Sequence, residues 1–346
     1  MERRCSVDEL HHFIVGLLEA VGIGKTSADI TAQVLVSADC EGNESHGVLR
    51  LPIYIENLEK GRFNRNPMVT AARTGSGTAV VDGDNGLGQW VAYRAMETAI
   101  DIARESGVGT VSVRESNHFG VASYYGEMAC KECMIGLVLS NTPAAMAPWG
   151  GRTPFFGTNP IAIVVPTSIN PIVIDMSTSV VARGKILYAA QHEQRIPHGW
   201  AVDKYGAPTD DPNAALKGTL LPIAEGKGYA LALGVEVLAG VLSGSAWGPD
   251  VGWMYDEHTT PVNMGHFMMA IQVSRFLKWE KFLERIDEFM AAIKSVPLAA
   301  NVSSILIPGE RRAVTRLERK LHGIPVPVAI INQLNQLASK YKVQPL

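Results

Sequence analysis

Two short stretches of this chain carry side chains suited to acid–base work on a small anion. Glu44-Ser45-His46-Gly47-Val48-Leu49-Arg50-Leu51-Pro52-Ile53-Tyr54 sets an imidazole, a guanidinium and a phenol at i, i+4 and i+8. On a helix that spacing puts all three on one face. Ser116-Asn117-His118-Phe119-Gly120 places a second imidazole where a β-rich run gives way to a loop. Two groups that exchange protons near pH 7, beside a planar fork that matches a carboxylate, point to chemistry on a small organic acid. Spacing alone also fits an ordinary solvated helix face.

The elements that position these groups follow from local rules. A helix starting at His46 would lose the Pro52-to-Val48 hydrogen bond and kink; one starting near Leu49 keeps Pro52 in its first turn and leaves His46 in the entry loop. Either way His46 and Arg50 stand near a helix N-terminus, which favours an anionic ligand. Apolar spacing predicts helices over 7–22 and 27–40, the second opened by the capping pattern Thr26-Ser27-Ala28-Asp29. After Gly61, β-rich runs at 78–82, 109–114, 134–140, 160–166 and 171–176 alternate at first with helices at 88–105 and 121–132.

That alternation suggests a doubly wound parallel sheet, and two observations resist it. Gly83-Asp84-Asn85-Gly86-Leu87-Gly88 has its glycines at the wrong offsets for a dinucleotide fingerprint. Thr167-Ser168-Ile169-Asn170 is too short for a parallel crossover, so the last two strands form a hairpin. The tail from 266 reads as helix, interrupted at 302–309. The expected fold is mixed α/β of the α+β kind, with a central sheet that is at least mixed. A helical domain is expected from 1–72 with 266–346, and a mixed-sheet domain from 73–265.

The chain of 346 residues is long enough for two or three packed domains, and 47% hydrophobic with 19% charged residues is ordinary for a globular protein. With a net charge of −3 and scattered Lys and Arg, no nucleic-acid groove is expected. Arg311-Arg312 and Arg316-Leu317-Glu318-Arg319-Lys320 read as a solvated basic helix face. Tyr229 to Trp247 approaches membrane-spanning length, but Glu236 at its centre favours a buried helix at a domain or subunit interface, with no membrane partner. Four cysteines make no disulfide framework, and Cys130-Lys131-Glu132-Cys133 is incidental. The N-terminus lacks a secretory pattern, so a cytoplasmic home is expected. His192, His198, His258 and His266 lack metal-ligand spacing and read as ordinary histidines; no metal is expected.

Several fragments in order resemble the malate/L-lactate/L-sulfolactate dehydrogenase family, the non-Rossmann group that includes ureidoglycolate dehydrogenase and diketogulonate reductase. They are the Glu44–Tyr54 and Ser116–Gly120 stretches, Pro154-Phe155-Phe156-Gly157-Thr158-Asn159-Pro160, and Asp175-Met176-Ser177-Thr178-Ser179 with Arg183-Gly184-Lys185. Further on come Lys227-Gly228-Tyr229, Ile307-Pro308-Gly309-Glu310-Arg311 and Gly323-Ile324-Pro325-Val326-Pro327.

The resemblance implies NAD(P)H-linked interconversion of a 2-hydroxy acid and its 2-oxo acid, with malate the first expectation, in a homodimer of non-Rossmann fold whose antiparallel-rich central sheet makes 73–265 the cofactor-binding domain. It implies cofactor contacts from Ser140, Asp175, Met176, Ser177, Lys227, Gly309, Glu310 and Arg311. It makes His118 the acid/base, Arg50 the carboxylate anchor and His46 a second proton-handling or oxygen-polarising group. Ser45, Tyr54, Thr158 and Asn159 become hydrogen-bonders to substrate, although Thr158-Asn159-Pro160 also fits a plain strand-entry turn.

One departure bears on the cofactor. The loop Leu221-Pro222-Ile223-Ala224-Glu225-Gly226 has Ala224-Glu225 where the family usually has two glycines. The added negative charge beside the expected phosphates favours NAD over NADP. A ureidoglycolate dehydrogenase, a cyclic-imine-acid reductase, a silent NAD-binding paralogue and a zinc hydrolase are the competing readings.

Overall fold

In a computed structural model, which describes residues 2–256 and 260–346, a seven-stranded sheet forms the centre of the molecule. Across it the strands run Thr70–Arg73, Thr78–Asp82, Val108–Ser116, Met264–Gln272, Met134–Ser140, Ile161–Val165 and Ile172–Met176. Only Thr78–Asp82 and Val108–Ser116 pair in parallel, joined by the crossover helix Gly88–Ser106. Every other neighbouring pair in this sheet is antiparallel. The expected hairpin is present, with Ile161 opposite Met176 and Val165 opposite Ile172.

The central strand is the main departure from expectation. The helical tail expected from 266 begins inside a strand, Met264–Gln272, so a boundary at 266 cuts through the centre of the sheet. Its run MGHFMMAIQ gives no clean alternation, because the sheet is covered on both faces. On one face Val91, Ala95, Met96 and Ala99 of the crossover helix, with Tyr125 and Ala129 of helix Ala122–Lys131, pack on Val111, Val113, Val138 and Met268. On the other, Val235 and Ala239 lie on Leu139 and Phe267.

Those last helical residues belong to Gly226–Glu236 and the π-turn Val237–Val241 that continues it. The segment is not buried all round: Val235, Glu236, Ala239 and Gly240 face inward, while Leu231, Val237, Val241 and Leu242 are exposed. Glu236 is buried and accepts from Asn141 Nδ2 at 3.2 Å, Asn159 Nδ2 at 2.7 Å and the Gly248 N–H at 2.8 Å. Three donors make a carboxylate tolerable in this apolar setting. No helix among the described residues is long and apolar enough to cross a membrane.

Both ends of the chain share one core. Leu10, Ile14, Leu17 and Leu18 of helix Val7–Ala20 pack with Tyr54, Ile55 and Leu58, and with Ile331, Leu334 and Ala338 of helix Val328–Tyr341. Strand Glu2–Cys5 pairs antiparallel with Ile324–Pro327, tying the termini directly. Ser6 and Glu9 form a capping box at the first helix. The second helix begins at Lys25 on Gly24, with no side-chain cap; Thr26-Ser27 therefore lies inside its first turn rather than before it.

Candidate active site

The chain between Cys40 and Leu51 does not run as one helix. It makes two 3₁₀ turns, Glu44–His46 and Val48–Arg50, before helix Leu51–Glu59 takes Pro52 into its first turn. His46 consequently sits in the entry segment, and the shared helix face does not form. The imidazole, guanidinium and phenol meet by another route, because the Ser116–Gly120 loop is packed beside this segment. That loop is fixed by Asn117, whose Nδ2 donates to Gly86 O at 2.7 Å and Asn85 O at 3.1 Å. Gly88 lets the crossover helix begin against it: a Cβ there would lie 2.2 Å from Asn117 O.

His46 and His118 stack with ring centroids 5.5 Å apart. Ser45 Oγ lies 2.9 Å from His46 Nδ1, and Tyr54 Oη lies 2.5 Å from His118 Nδ1. The Nε2 nitrogen of each ring has no hydrogen-bond partner among the described residues. Arg50 donates from Nε to Ser45 O at 2.6 Å and from Nη1 to the Tyr255 hydroxyl, with its guanidinium 6.0 Å from the Tyr255 ring centroid.

Burial first, then the Arg50 charge, pushes both imidazoles below their ordinary value, His46 to about 4 and His118 well down. Asp175, at the end of the edge strand, pulls the other way on His46. Both rings are only partly exposed in area yet densely surrounded by protein, and the desolvation follows from the surroundings.

Tyr54 is fully buried behind His118, its oxygen also receiving Gln89 Nε2 at 2.9 Å. The phenol thus lies against the histidine, away from the open space in front of the ring. Asn159 is fully buried too, its amide bonded to Glu236, to Ala232 O at 3.0 Å and to the Thr142 N–H at 3.3 Å. Thr158 is partly buried; its carbonyl accepts from the Thr178 N–H at 2.9 Å, joining two loops. The Ser140 hydroxyl is also buried, bonded to Asn141 O at 2.9 Å and 2.8 Å from His266 Nδ1.

The remaining expected cofactor residues gather along the sheet edge. Asp175 Oδ2 accepts from Arg312 Nη2 at 3.0 Å and the Ser123 N–H at 3.3 Å, leaving Oδ1 without a partner among the described residues. Met176 is exposed and Ser177 half-buried beside it. The Ile223 N–H donates to Thr178 O at 2.9 Å, which brings the loop before Lys227 alongside, and Lys227 is exposed with no ion-pair partner among the described residues. The Val173 N–H donates to Pro308 O at 2.9 Å, placing Gly309 and the start of helix Glu310–His322 against the same strand. Arg311 is exposed there, and Glu310 pairs with Lys294.

Arg312, rather than Arg311, reaches Asp175. The basic face of this helix is not a solvated one: Arg312 and Arg316 bind Glu41, Arg316 also meets Glu127 at 2.6 Å, and Arg319 meets Glu44 at 2.5 Å. The spacing 312, 316, 319 was the available signal, one helical stripe. Gln89 and Tyr255 had no such signal, since each acts across long sequence separation, 35 positions to Tyr54 and 205 to Arg50. His266 is a core residue bridging Ser140 and Ser116 and stacked 4.5 Å from Phe119. His192 and His198 are exposed; His258 lies outside the described residues.

A family model described as malate/L-lactate dehydrogenase matches residues 5–335. Malate/(S)-sulfolactate dehydrogenase of Methanothermus fervidus is 40% identical over 339 residues, 98% of each chain. (2R)-3-sulfolactate dehydrogenase (NADP(+)) of Chromohalobacter salexigens is 37% identical over 339 residues, 98% of this chain and 99% of that one. The solved sulfolactate dehydrogenase from Methanocaldococcus jannaschii superposes with a TM-score of 0.93 at 39% identity, covering 99% of this chain and 98% of the other. With the matches running over nearly its full length, the chain belongs to the malate/L-lactate dehydrogenase family.

Proposed function

We propose that the protein interconverts a 2-hydroxy acid and its 2-oxo acid with a nicotinamide dinucleotide, and that the acid carries a second anionic group at C3, as oxaloacetate and sulfopyruvate do. The observation that carries this reading is the convergence of two imidazoles, each with Nε2 unpartnered, on one guanidinium. The donor set along the sheet edge suits the dinucleotide: Asp175 Oδ1 for ribose hydroxyls, Lys227 and Arg311 for phosphates, and a helix N-terminus at Gly309. When bound, that group takes or gives the hydride at C2.

The chain supplies the rest. Arg50, with two of its N–H groups used internally, presents the others to the substrate carboxylate. His118 Nε2 takes the C2 hydroxyl proton in oxidation and returns it in reduction. His46 lies against the same oxygen and polarises it. Because both rings sit far below their ordinary pKa, kcat/KM for the hydroxy acid, which reports the free enzyme, is expected to stay level as pH falls through 6.5. It declines only well below that, as Nε2 fills with a proton. A limb at or above 6.5 would remove burial as the governing term.

Arg183 is the candidate for the C3 group. Its guanidinium lies 5.3 Å from the Trp253 ring centroid, Trp253 stands 5.5 Å from Tyr255, and Tyr255 holds Arg50. Arg183→Ala is expected to raise KM for oxaloacetate and sulfopyruvate about tenfold, the loss of one charge-assisted contact, while KM for pyruvate stays put. An equal rise for all three would deny it a role in selection.

The loop before Lys227 supports NAD over NADP. Ala224 and Glu225 have φ of +45° and +56°, the left-handed region that favours glycine, so the side chain and charge of Glu225 are held there at a conformational cost of about 1–2 kcal/mol per residue. Glu225→Gly is expected to lower KM for NADPH relative to NADH by about threefold to tenfold, one exposed charge removed from the phosphates' surroundings. An unchanged ratio would place the phosphates elsewhere.

A homodimer is supported by the exposed apolar face of Leu231, Val237, Val241 and Leu242, and a cytoplasmic site by four unpaired thiols. The test of function is NADH oxidation with oxaloacetate, sulfopyruvate, pyruvate and a cyclic imine acid offered separately, then repeated with NADPH. Turnover restricted to the cyclic imine, or none with NADH bound, would overturn the reading.

A further inference from the structure

We infer that Gln89 is a positioning residue for the acid/base histidine, acting through Tyr54 to decide which imidazole nitrogen of His118 carries the proton. The inference rests on the assignment of His118 above. Gln89 is fully buried on the crossover helix, its Nε2 2.9 Å from Tyr54 Oη, and Tyr54 Oη is 2.5 Å from His118 Nδ1. The three groups form a single file that ends at the nitrogen facing away from substrate. Gln89 Oε1 is buried with no hydrogen-bond partner among the described residues, beside the site of Nε2. An amide so placed exchanges donor for acceptor by a half-turn about its last bond.

The proton positions follow from counting. Tyr54 has one hydroxyl proton. When Gln89 donates Nε2–H to its oxygen, that proton goes to His118 Nδ1, so a neutral imidazole carries its own proton on Nε2, toward the substrate oxygen. When Gln89 turns and presents Oε1, the tyrosine donates to the amide and accepts Nδ1–H from the imidazole. Nε2 is then a bare lone pair, the form that takes the hydroxyl proton in oxidation. After that transfer the imidazolium holds both protons and Nδ1–H still points at Tyr54, so the second arrangement serves acid and base alike. Only Nε2 gains or loses a proton during the step, and the relay itself stays neutral.

The unpartnered oxygen is therefore the acceptor that the working arrangement requires. A glutamine meets this need where a leucine or methionine of similar size does not. Without the amide, Tyr54 has no other acceptor than Nδ1 among the described residues, and the base form of Nε2 is lost for a share of the enzyme.

The test is a double-mutant cycle of Gln89→Met and Tyr54→Phe, read as kcat, KM for the oxo acid, NADH affinity by fluorescence and melting temperature. Each single variant is expected to lower kcat about tenfold, the scale of one orienting hydrogen bond, with KM and NADH affinity unchanged. The double variant is expected to be no slower than Tyr54→Phe alone, because Gln89 acts only through the phenol. Multiplying losses near a hundredfold, or wild-type kcat in Gln89→Met, would overturn the inference. Should Gln89→Met melt out, Gln89→Leu repeats the arm, and wild-type kcat in Tyr54→Phe alone would refute the relay. His118→Ala separates the layers: if it keeps wild-type turnover, the acid/base assignment has failed, whereas a dead His118→Ala with an additive cycle sinks only the relay.

Discussion

His118→Ala is expected to lower kcat by roughly 10²–10⁴ while leaving NADH affinity unchanged, the range that a missing general acid–base group covers. The geometry gives His118 this priority over His46. His118 is backed on Nδ1 by the buried Tyr54 hydroxyl, so its ring is held in one orientation and its proton has a defined place. His46 is backed by Ser45, whose hydroxyl is exposed where that of Tyr54 is buried. Loss of His46 removes polarisation of the substrate oxygen and leaves the proton acceptor standing, so His46→Ala should cost less than His118→Ala at the same pH. Single-turnover absorbance at 340 nm, with NADH-loaded enzyme mixed with saturating oxo acid, isolates the step from cofactor binding. A reversed ranking would move proton transfer to His46 and reduce His118 to an orienting group.

The same comparison explains what could be read in advance. Strands 78–82, 134–140 and the 161–176 hairpin were legible because each is short, β-branched and bounded by turn residues. The helix over 88–106 was legible because its apolar stripe is regular. Met264–Gln272 was not, since a strand buried on both faces shows no period of two and looks like any apolar run. In the site, His46, Arg50 and His118 were visible as residue types that do chemistry. Gln89 was hidden, because it meets Tyr54 across 35 positions of sequence, and the Arg312, Arg316, Arg319 stripe was visible without its acidic partners, Asp175 lying 137 positions from Arg312. For Ser140 and Asn159 the motif pointed to ligand contact, whereas their side chains carry a second duty that no spacing announced, as the partners that buried polar groups must find.

Gly47→Ala should destabilise the fold by about 2–5 kcal/mol, the sum of overpacking and a lost hydrogen bond to a buried carboxylate, and it should impair turnover as well. The backbone of Gly47 is not in the left-handed region, with φ −92°, so the requirement is one of space. A Cβ at this position would lie 1.8 Å from Asp39 Oδ1. Asp39 is buried, its carboxyl pushed up to about 7 by that burial, and its Oδ2 accepts the Val48 N–H at 2.8 Å. That bond is what turns the chain between the two short helical turns carrying His46 and Arg50. Pushing the carboxylate aside opens the turn and moves imidazole and guanidinium together, so KM for the oxo acid rises along with the fall in kcat. Asp39→Ser in the Gly47→Ala background shortens the obstructing side chain while keeping an oxygen near Val48. It should recover part of the lost melting temperature, since the two substitutions share one contact and their effects do not add. A Gly47→Ala protein that melts and turns over as the parent does would show that Asp39 yields freely, and the turn would then owe its shape to the ion pairs of Arg312, Arg316 and Arg319 with residues 41–44.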